Sequence, residues 1–323
     1  MPYSQNVVSR ARQRLENLKS EKQSLYRARL FEVYERLPQV RTIDMQLRAS
    51  MTQAAQAAFT KGEDGTAAIE KVRQENLALQ SQRKALIDAN FPEGFLDETP
   101  FCAHCGGVGY LGSTMCDCLK QLCALEQRNE IAMLTTGAEN FQALRLDVYP
   151  DTVDARFGVS PRTVMERNFR IAKRFADTFG QGGHLLFVGG TGLGKTFLSA
   201  CIANEVADQG FSVCYESAPA LFAKLEKNRF DPDDDSRADA RAMEVCDLLI
   251  IDDLGTELAG NFVTAALYAL VNDRLLNNKS MVISTNLTIE EIARRYSPQI
   301  ASRMQGSFRM LPFAGEDIRV MKL

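Results

Sequence analysis

Apolar residues recur every three or four positions through the first ninety residues, which is the spacing of one face of an α-helix. The pattern predicts helices over residues 4–37, 40–59 and 66–90, interrupted at Pro38 and then at Gly62 and Gly65. Each apolar stripe is narrow, and most of the helical surface is polar. A narrow stripe must pack against something. A small helical bundle and a docking arm for another protein both fit this pattern.

Beyond residue 160 the pattern changes to short apolar runs that alternate with helical segments. A Ser-Pro pair at Ser160 predicts the start of the first helix in this part. The apolar runs cover 185–188, 211–215, 248–251 and 281–284. Such alternation predicts a parallel sheet covered by helices on both faces. The expected fold class is therefore α/β, preceded by an α-helical N-terminal region.

Length and composition refine this organisation. The chain has 323 residues, of which 45% are hydrophobic and 24% charged, as in ordinary globular proteins of two or more domains. Pro and Gly residues near 92–100 mark a boundary, and the predicted domains are 1–98, 99–136 and 137–323. No apolar run is long enough to span a bilayer and no signal-peptide pattern is present, which predicts a cytoplasmic protein without membrane contact.

The strongest chemical signal is the segment LLFVGGTGLGKT, which places a glycine-rich loop between a predicted strand and a helix. It matches the phosphate-binding pattern G-x-x-x-x-G-K-[ST] in the required context. Glycines let backbone N–H groups surround the phosphates, Lys195 reaches the β- and γ-phosphates, and the Thr196 hydroxyl ligates Mg²⁺. The predicted ATP-binding residues in this loop are Gly189, Gly190, Thr191, Gly192, Leu193, Gly194, Lys195 and Thr196.

Polar side chains also follow two of the other apolar runs. Asp252 and Asp253 end the run at 248–251. Asp252 is predicted to hold Mg²⁺ in the ATP site, and Asp253 to polarise the attacking water as a general base. Asn286 follows the run at 281–284. Its amide can orient the attacking water or, alternatively, cap the helix that follows.

The loop, the segment LLIIDDLG and the segment ISTN, in this order, resemble the AAA+ ATPases. More narrowly, they resemble the DnaC/DnaI-type replicative-helicase loaders and the IstB-type transposition helpers. The resemblance covers about 139–323 and implies a P-loop AAA+ sheet flanked by helices, with ATP and Mg²⁺ as cofactors and ATP hydrolysis as the activity. Most AAA+ proteins have Glu where this chain has Asp253, whereas the narrower group commonly has Asp.

The same resemblance implies roles for two arginines. The segment RYSPQIASRM points to Arg303 as the arginine finger for a neighbouring subunit, with Arg294 and Arg295 as rivals. The segment GEDIRVMK points to Arg319 as the sensor-2 arginine. A finger supplied by a neighbour implies a homo-oligomer in the ATP-bound state.

Loader relatives also have a helix that contacts single-stranded DNA, at the position of SAPALFAKLEKNRF in this chain. Lys224, Lys227 and Arg229 could bind phosphates, with Phe222 and Phe230 stacking on bases. The alternative is an ordinary amphipathic helix with a solvated basic side.

Four cysteines form a compact cluster of a different kind. Cys102 and Cys105 are spaced C-x2-C, and Cys116 and Cys118 follow ten residues later as C-x-C. In a reducing compartment this spacing predicts a closed, structural zinc site with four thiolates. An iron–sulfur cluster would use the same ligands, and Cys123 is a spare candidate. The segment also resembles the zinc-binding N-terminal module of DnaI-type loaders.

Together these features predict an ATP-dependent replication factor that loads a replicative helicase hexamer onto single-stranded DNA, with ATP binding and hydrolysis as an assembly switch. One alternative is an IstB-like transposition helper, although such relatives generally lack a zinc module. Another is a nucleotide-gated adaptor with negligible hydrolysis.

Overall fold

The computed structural model of the chain describes residues 3–58, 63–96, 98–134, 139–155, 158–318 and 320, with residues 51–69 and 133–134 described by their backbone alone where they are helical. The described chain divides into two compact units. One comprises Met1–Arg14 and Ser113–Leu323, and the other comprises Leu15–Gly112. The domain boundaries inferred from the sequence remain a prediction.

The first ninety residues form three helices, as predicted: α1 (Gln5–Arg36), α2 (Pro38–Ala58) and α3 (Glu63–Asn90). Pro38 opens α2, where its missing N–H costs nothing. The predicted interruption at Gly65 is wrong, because Gly65 lies in the first turn of α3, and Gly62 lies outside the described residues. Backbone N–H groups in a first turn have no intrahelical partner, so a glycine is tolerated there.

The unit Leu15–Gly112 has a small core of its own. Val33, Val40, Ile87 and Phe91 are buried together. The apolar stripe predicted on α1 includes Leu25 and Val33. Val33 is buried but Leu25 is 53% exposed, so the stripe is not buried along its full length. The bundle interpretation therefore accounts for only part of the stripe.

A short hairpin of β1 (Tyr110–Leu111) and β2 (Thr114–Met115) precedes helix α4 (Asp117–Leu134). The start of α1 contacts α4 through ion pairs. Arg10 binds Glu130 with an N–O distance of 3.3 Å, and Arg14 binds Glu126 at 3.1 Å. The first turns of α1 thus belong with α4.

The predicted parallel sheet is confirmed. Its strands are β3 (His184–Val188), β4 (Val213–Ser217), β5 (Leu248–Leu254), β6 (Ser280–Thr285) and β7 (Arg309–Pro312). They are all parallel in the order β4-β5-β6-β3-β7. The chain leaves β3 for the far edge, returns beside it as β6 and then adds β7 on its other side. This reversal puts β3 at a topological switch point, where ligands bind at the carboxyl ends of strands.

Helices cover both faces of the sheet: α5 (Pro161–Asp177), α6 (Lys195–Asp208), α7 (Ala218–Phe230), α8 (Asp234–Val245), α9 (Asn261–Leu276), α10 (Ile289–Arg295) and α11 (Pro298–Ser307). Successive strand residues alternate between two cores, as a pleated strand requires. Leu185 and Phe187 face the core that includes α5 and α6, whereas Leu186 faces the core that includes α9 and α11. The helix predicted at Ser160 begins there, because the Ser160 hydroxyl accepts a hydrogen bond from the Thr163 N–H at 3.2 Å.

Strand β7 was absent from the sequence prediction. Its four residues, RMLP, lack an apolar run, and only Leu311 is buried. It lies at the sheet edge and ends at a proline, a position that suits a residue without an N–H donor. Among the helices described, none combines the length and apolarity needed to cross a membrane.

Candidate ATP site

The glycine-rich loop connects β3 to α6, as its sequence predicts. Gly194 precedes the helix with a φ of 90°, a conformation that favours glycine. The ammonium Nζ of Lys195 donates to the carbonyl oxygens of Gly189 at 2.7 Å and Gly190 at 2.6 Å, and to Asn286 Oδ1 at 2.7 Å. Lys195 therefore links the glycine-rich loop after β3 to the end of β6, although the two segments are far apart in the sequence.

The first glycine of the loop is packed against β7. A Cβ on Gly189 would lie 2.5 Å from the backbone oxygen of Phe313, and its φ is 156°. We expect Gly189→Ala to lower the free energy of unfolding by roughly 1–3 kcal/mol, since the neighbour is backbone that cannot rotate away. Denaturant unfolding measures this change.

The neighbouring glycine provides a matched control. A Cβ on Gly190 would find only a Leu193 methyl at 3.8 Å, an ordinary contact. Gly190→Ala should therefore leave the unfolding free energy within about 0.5 kcal/mol of the parent. If Gly189→Ala and Gly190→Ala lose the same unfolding free energy, the close approach of Phe313 is not the reason for a glycine at position 189.

The acidic pair, Asp252 and Asp253, lies at the end of β5. The adjacent strand β6 carries Ser284 near its end and is followed by Asn286. Asp252 is buried, with 6% of its surface exposed, and both its oxygens accept hydrogen bonds. Ser284 Oγ donates to Asp252 Oδ1, and the Tyr215 hydroxyl donates to Asp252 Oδ2 at 3.1 Å. Burial, reinforced by Asp252, raises the pKa of Tyr215 far above its usual range, so the phenol remains a donor.

Asp253 has an unusual backbone. Its φ is 55°, in the left-handed region that few residues other than glycine adopt. The backbone N–H of Asp253 donates to Ser284 Oγ at 2.9 Å. Its carbonyl oxygen accepts from the N–H and the hydroxyl of Thr256, at 3.2 and 2.8 Å. The backbone at the predicted general base is thus held on both sides.

Asn286 lies at the exposed end of β6. The cap of α10 is Thr288, whose Oγ1 accepts from the Glu291 N–H at 3.2 Å. Of the two interpretations left open by the sequence, the capping role therefore belongs to Thr288, and Asn286 contacts Lys195 instead. Its predicted role in orienting water remains a prediction.

The sequence interpretation did not identify Ser284 or Tyr215. Ser284 is completely buried and contacts both acidic residues. A hydroxyl inside the apolar strand SMVIST was the available signal, because a buried hydroxyl requires a partner. Tyr215 gave no comparable signal, since aromatic residues are common in strands.

The predicted arginines lie in different settings. Arg303 donates from Nε to Asn272 Oδ1 at 3.0 Å, with its guanidinium 4.5 Å from the centre of the Tyr268 ring. Arg295 is paired with Glu257 at 3.3 Å, whereas Arg294 is exposed. The finger role of Arg303 remains a prediction, and Arg319 lies outside the described residues.

The segment predicted to contact DNA comprises the N-cap residue Ser217 and all of α7. Lys224 pairs with Glu216, and Lys227 pairs with Asp233 at 2.7 Å. Phe222 is buried in the core, and Phe230 is 69% exposed. Two of the three predicted cations are therefore partly neutralised, which favours the interpretation as an ordinary amphipathic helix.

The four predicted metal ligands lie together. The Sγ atoms of Cys102, Cys105, Cys116 and Cys118 are within 4.8 Å of one another. A tetrahedral zinc site with Zn–S bonds of about 2.3 Å separates its sulfur atoms by about 3.8 Å. The Gly109 N–H donates to Cys105 Sγ at 3.2 Å, which favours a thiolate. The donor set of four cysteine sulfurs fits zinc.

The spare candidate, Cys123, has a different environment. It is completely buried in α4, and burial raises the pKa of its thiol to about 11. We expect Cys105→Ala to lose the metal, because three thiolates remain, and Cys123→Ala to retain one zinc per chain. Elemental analysis of the purified variants measures both. Iron in place of zinc, or metal loss from the Cys123 variant, would contradict this assignment.

A parallel sheet with a glycine-rich loop at its switch point, a buried lysine in that loop and a carboxylate pair on the adjoining strand end defines a P-loop ATP-binding domain of the AAA+ type. Residues 176–303 match the family described as IstB-like ATP binding protein. This part of the chain is therefore similar to the IstB-like ATP-binding proteins, in agreement with the resemblance seen in its motifs.

Curated relatives match a limited part of the chain. The phage-like element PBSX protein XkdC of Bacillus subtilis (strain 168) is 30% identical over 34% of this chain and 42% of its own length. The uncharacterized protein YdaV of Escherichia coli (strain K12) is 27% identical over 41% of this chain and 54% of its own. The chain thus spans about half the length of these relatives.

Solved structures align with about half of the chain. The DnaC helicase loader aligns over 54% of this chain and 98% of its own, at 20% identity and a TM-score of 0.45. DnaI aligns over 55% and 95%, at 21% identity and a TM-score of 0.42.

Proposed function

We propose that this protein binds and hydrolyses ATP to load a replicative helicase onto single-stranded DNA. The observation that carries the ATP part is the hydrogen bond from Lys195 to Asn286, next to the Ser284-bound pair Asp252 and Asp253. It supports a site in which the triphosphate and its Mg²⁺ would bind at the carboxyl ends of β3, β5 and β6. ATP would supply the phosphate bond that is broken, and Mg²⁺ would neutralise its charge.

In this proposal each residue has a separate task. Lys195 leaves Asn286 to bind the β- and γ-phosphates, and Thr196 and Asp252 hold Mg²⁺. Asn286 is then available to orient water, and Asp253 accepts a proton from that water. Arg303 reaches a neighbouring copy, so hydrolysis depends on an oligomer. ATP binding thus favours assembly, and hydrolysis releases it.

The loader function is supported by the cysteine cluster and by the helical unit Leu15–Gly112. A structural zinc gives rigidity to a segment with few core residues, and a partly exposed helical stripe suits a protein partner. The same ATP site would also serve a transposition helper, so the cysteine cluster is the feature that favours a loader.

The experiment adds the full-length protein to a hexameric replicative helicase and circular single-stranded DNA. A loader should place the hexamer on the closed circle only with ATP, and Lys195→Ala should not. Parallel reactions replace the helicase with a transposase and its target DNA. A nucleotide-dependent complex with the transposase alone would support the helper function and overturn this proposal.

A further inference from the structure

The end of β5 breaks the regular alternation of a strand. Ile251 pairs with Ile283 and Leu254 pairs with Thr285, so two residues of β5 face the single residue Ser284. This is a β-bulge, in which one strand has an extra residue. The two residues opposite Ser284 are the acidic pair.

The bulge changes which face each side chain occupies. Leu249 and Ile251 face the core of α9 and α11, and regular alternation would put Leu254 on the opposite face. Leu254 instead lies in the same core as Ile251. An extra residue at Asp253, with its φ of 55°, accounts for the shift. Consecutive carboxylates in a regular strand point to opposite faces, and the bulge removes that constraint at Asp253.

Ser284 is hydrogen-bonded to both members of the pair. Its hydroxyl donates to Asp252 Oδ1 and accepts from the Asp253 N–H at 2.9 Å. Ser284 is completely buried, which excludes bulk water as a substitute partner. One hydroxyl thus sets the orientation of the predicted Mg²⁺ ligand and holds the backbone of the predicted base.

We propose that Ser284 is a positioning residue for ATP hydrolysis, which fixes Asp252 and Asp253 relative to each other through the bulge of β5. This inference rests on the proposed ATPase function. Tyr215 supports the Asp252 half of the arrangement, because its hydroxyl donates to Asp252 Oδ2 at 3.1 Å.

The test compares Ser284→Ala with Ser199→Ala. Ser199 is also completely buried, and its hydroxyl has no hydrogen-bond partner among the described residues, so its loss changes a serine without changing a contact. We expect Ser284→Ala to lower kcat at least tenfold and raise the Mg²⁺ concentration for half-maximal activity. Its ATP affinity without Mg²⁺ should stay within twofold of the parent, and Ser199→Ala should match the parent throughout.

Two further variants cover other outcomes. Ser284→Cys keeps the shape of the side chain with a somewhat larger atom, but has only a weak donor and acceptor, and should show the same loss even if the alanine variant folds poorly. Tyr215→Phe should raise the Mg²⁺ requirement with a smaller effect on kcat at saturating Mg²⁺. The proposal would be overturned if the kcat of Ser284→Cys lay within threefold of the kcat of Ser199→Ala. It would also be overturned if the Ser284 variants lost ATP affinity without Mg²⁺ by the same factor as they lost kcat.

The controls separate this inference from the proposed function. If the parent shows no turnover above that of Asp253→Asn, the ATPase proposal fails. In that case the stimulation of ATP binding by Mg²⁺ still tests Ser284, since it requires no hydrolysis. If the parent turns over ATP and both Ser284 variants do so equally, only the positioning role fails.

Discussion

Replacing Lys195 by alanine should weaken ATP binding at least about 100-fold, equivalent to about 2.8 kcal/mol. The side chain is the buried cation of the loop, with 4% of its surface exposed, and its Nζ already donates to three oxygens. A triphosphate replaces these neutral acceptors with charged ones, and charge-assisted hydrogen bonds are roughly twice as strong. Equilibrium binding of a fluorescent ATP analogue measures the change.

Lys173→Ala is the matched control for this substitution. Lys173 lies on α5 with 42% of its side chain exposed, pairs with Asp177 at 2.8 Å and lies 5.3 Å from the centre of the Phe141 ring, so its removal takes away a partly exposed cation outside the loop. Its removal should leave ATP affinity within about twofold of the parent. If the Lys195 variant binds ATP as tightly as the Lys173 variant does, the phosphates bind elsewhere and the site is wrong.

Replacing Asp253 by asparagine should lower the rate of ATP cleavage at least about 100-fold while preserving ATP binding. An amide cannot accept a proton from water, so the chemical step loses its base. The backbone should survive, because asparagine is among the residues that best tolerate the φ of 55° observed here. Single-turnover cleavage of prebound ATP isolates this step from binding.

Asp235→Asn controls for the loss of one negative charge. Asp235 is exposed in the first turn of α8 and lies in a different segment from the acidic pair. It should cleave ATP at the parent rate. Cleavage by Asp253→Asn at that same rate would exclude Asp253 as the base. Negligible cleavage by parent and variant alike would instead favour a nucleotide-gated adaptor.

The sequence was sufficient to predict the class of fold because its signals were local and independent. An apolar run before GGTGLGKT and another before Asp252 each indicate a buried strand. Parallel strands bring their carboxyl ends to one edge, so the contact of Lys195 with Asn286 and the position of Asp252 on the adjacent strand follow from topology. The cysteine spacing similarly predicted a cluster that the structure brings within reach of one metal ion.

The features that were missed depend on contacts between distant residues. Ser284 lies 32 residues from Asp252, and a serine in an apolar strand does not reveal what it binds. The bulge depends on the pairing register of β5 and β6, which a single strand does not encode. Strand β7 forms because β3 offers it an open edge, although its own sequence is barely apolar.

The most direct test of the account is the native mass of the protein mixed with a replicative helicase hexamer, measured with ATP and with ADP. With ATP, an ATP-gated loader should form an assembly that contains both the protein and the helicase. This assembly should persist for Asp253→Asn and should dissociate for the parent as phosphate is released. Assemblies of the same mass and lifetime with ATP, ADP and no nucleotide would contradict an ATP-gated loader.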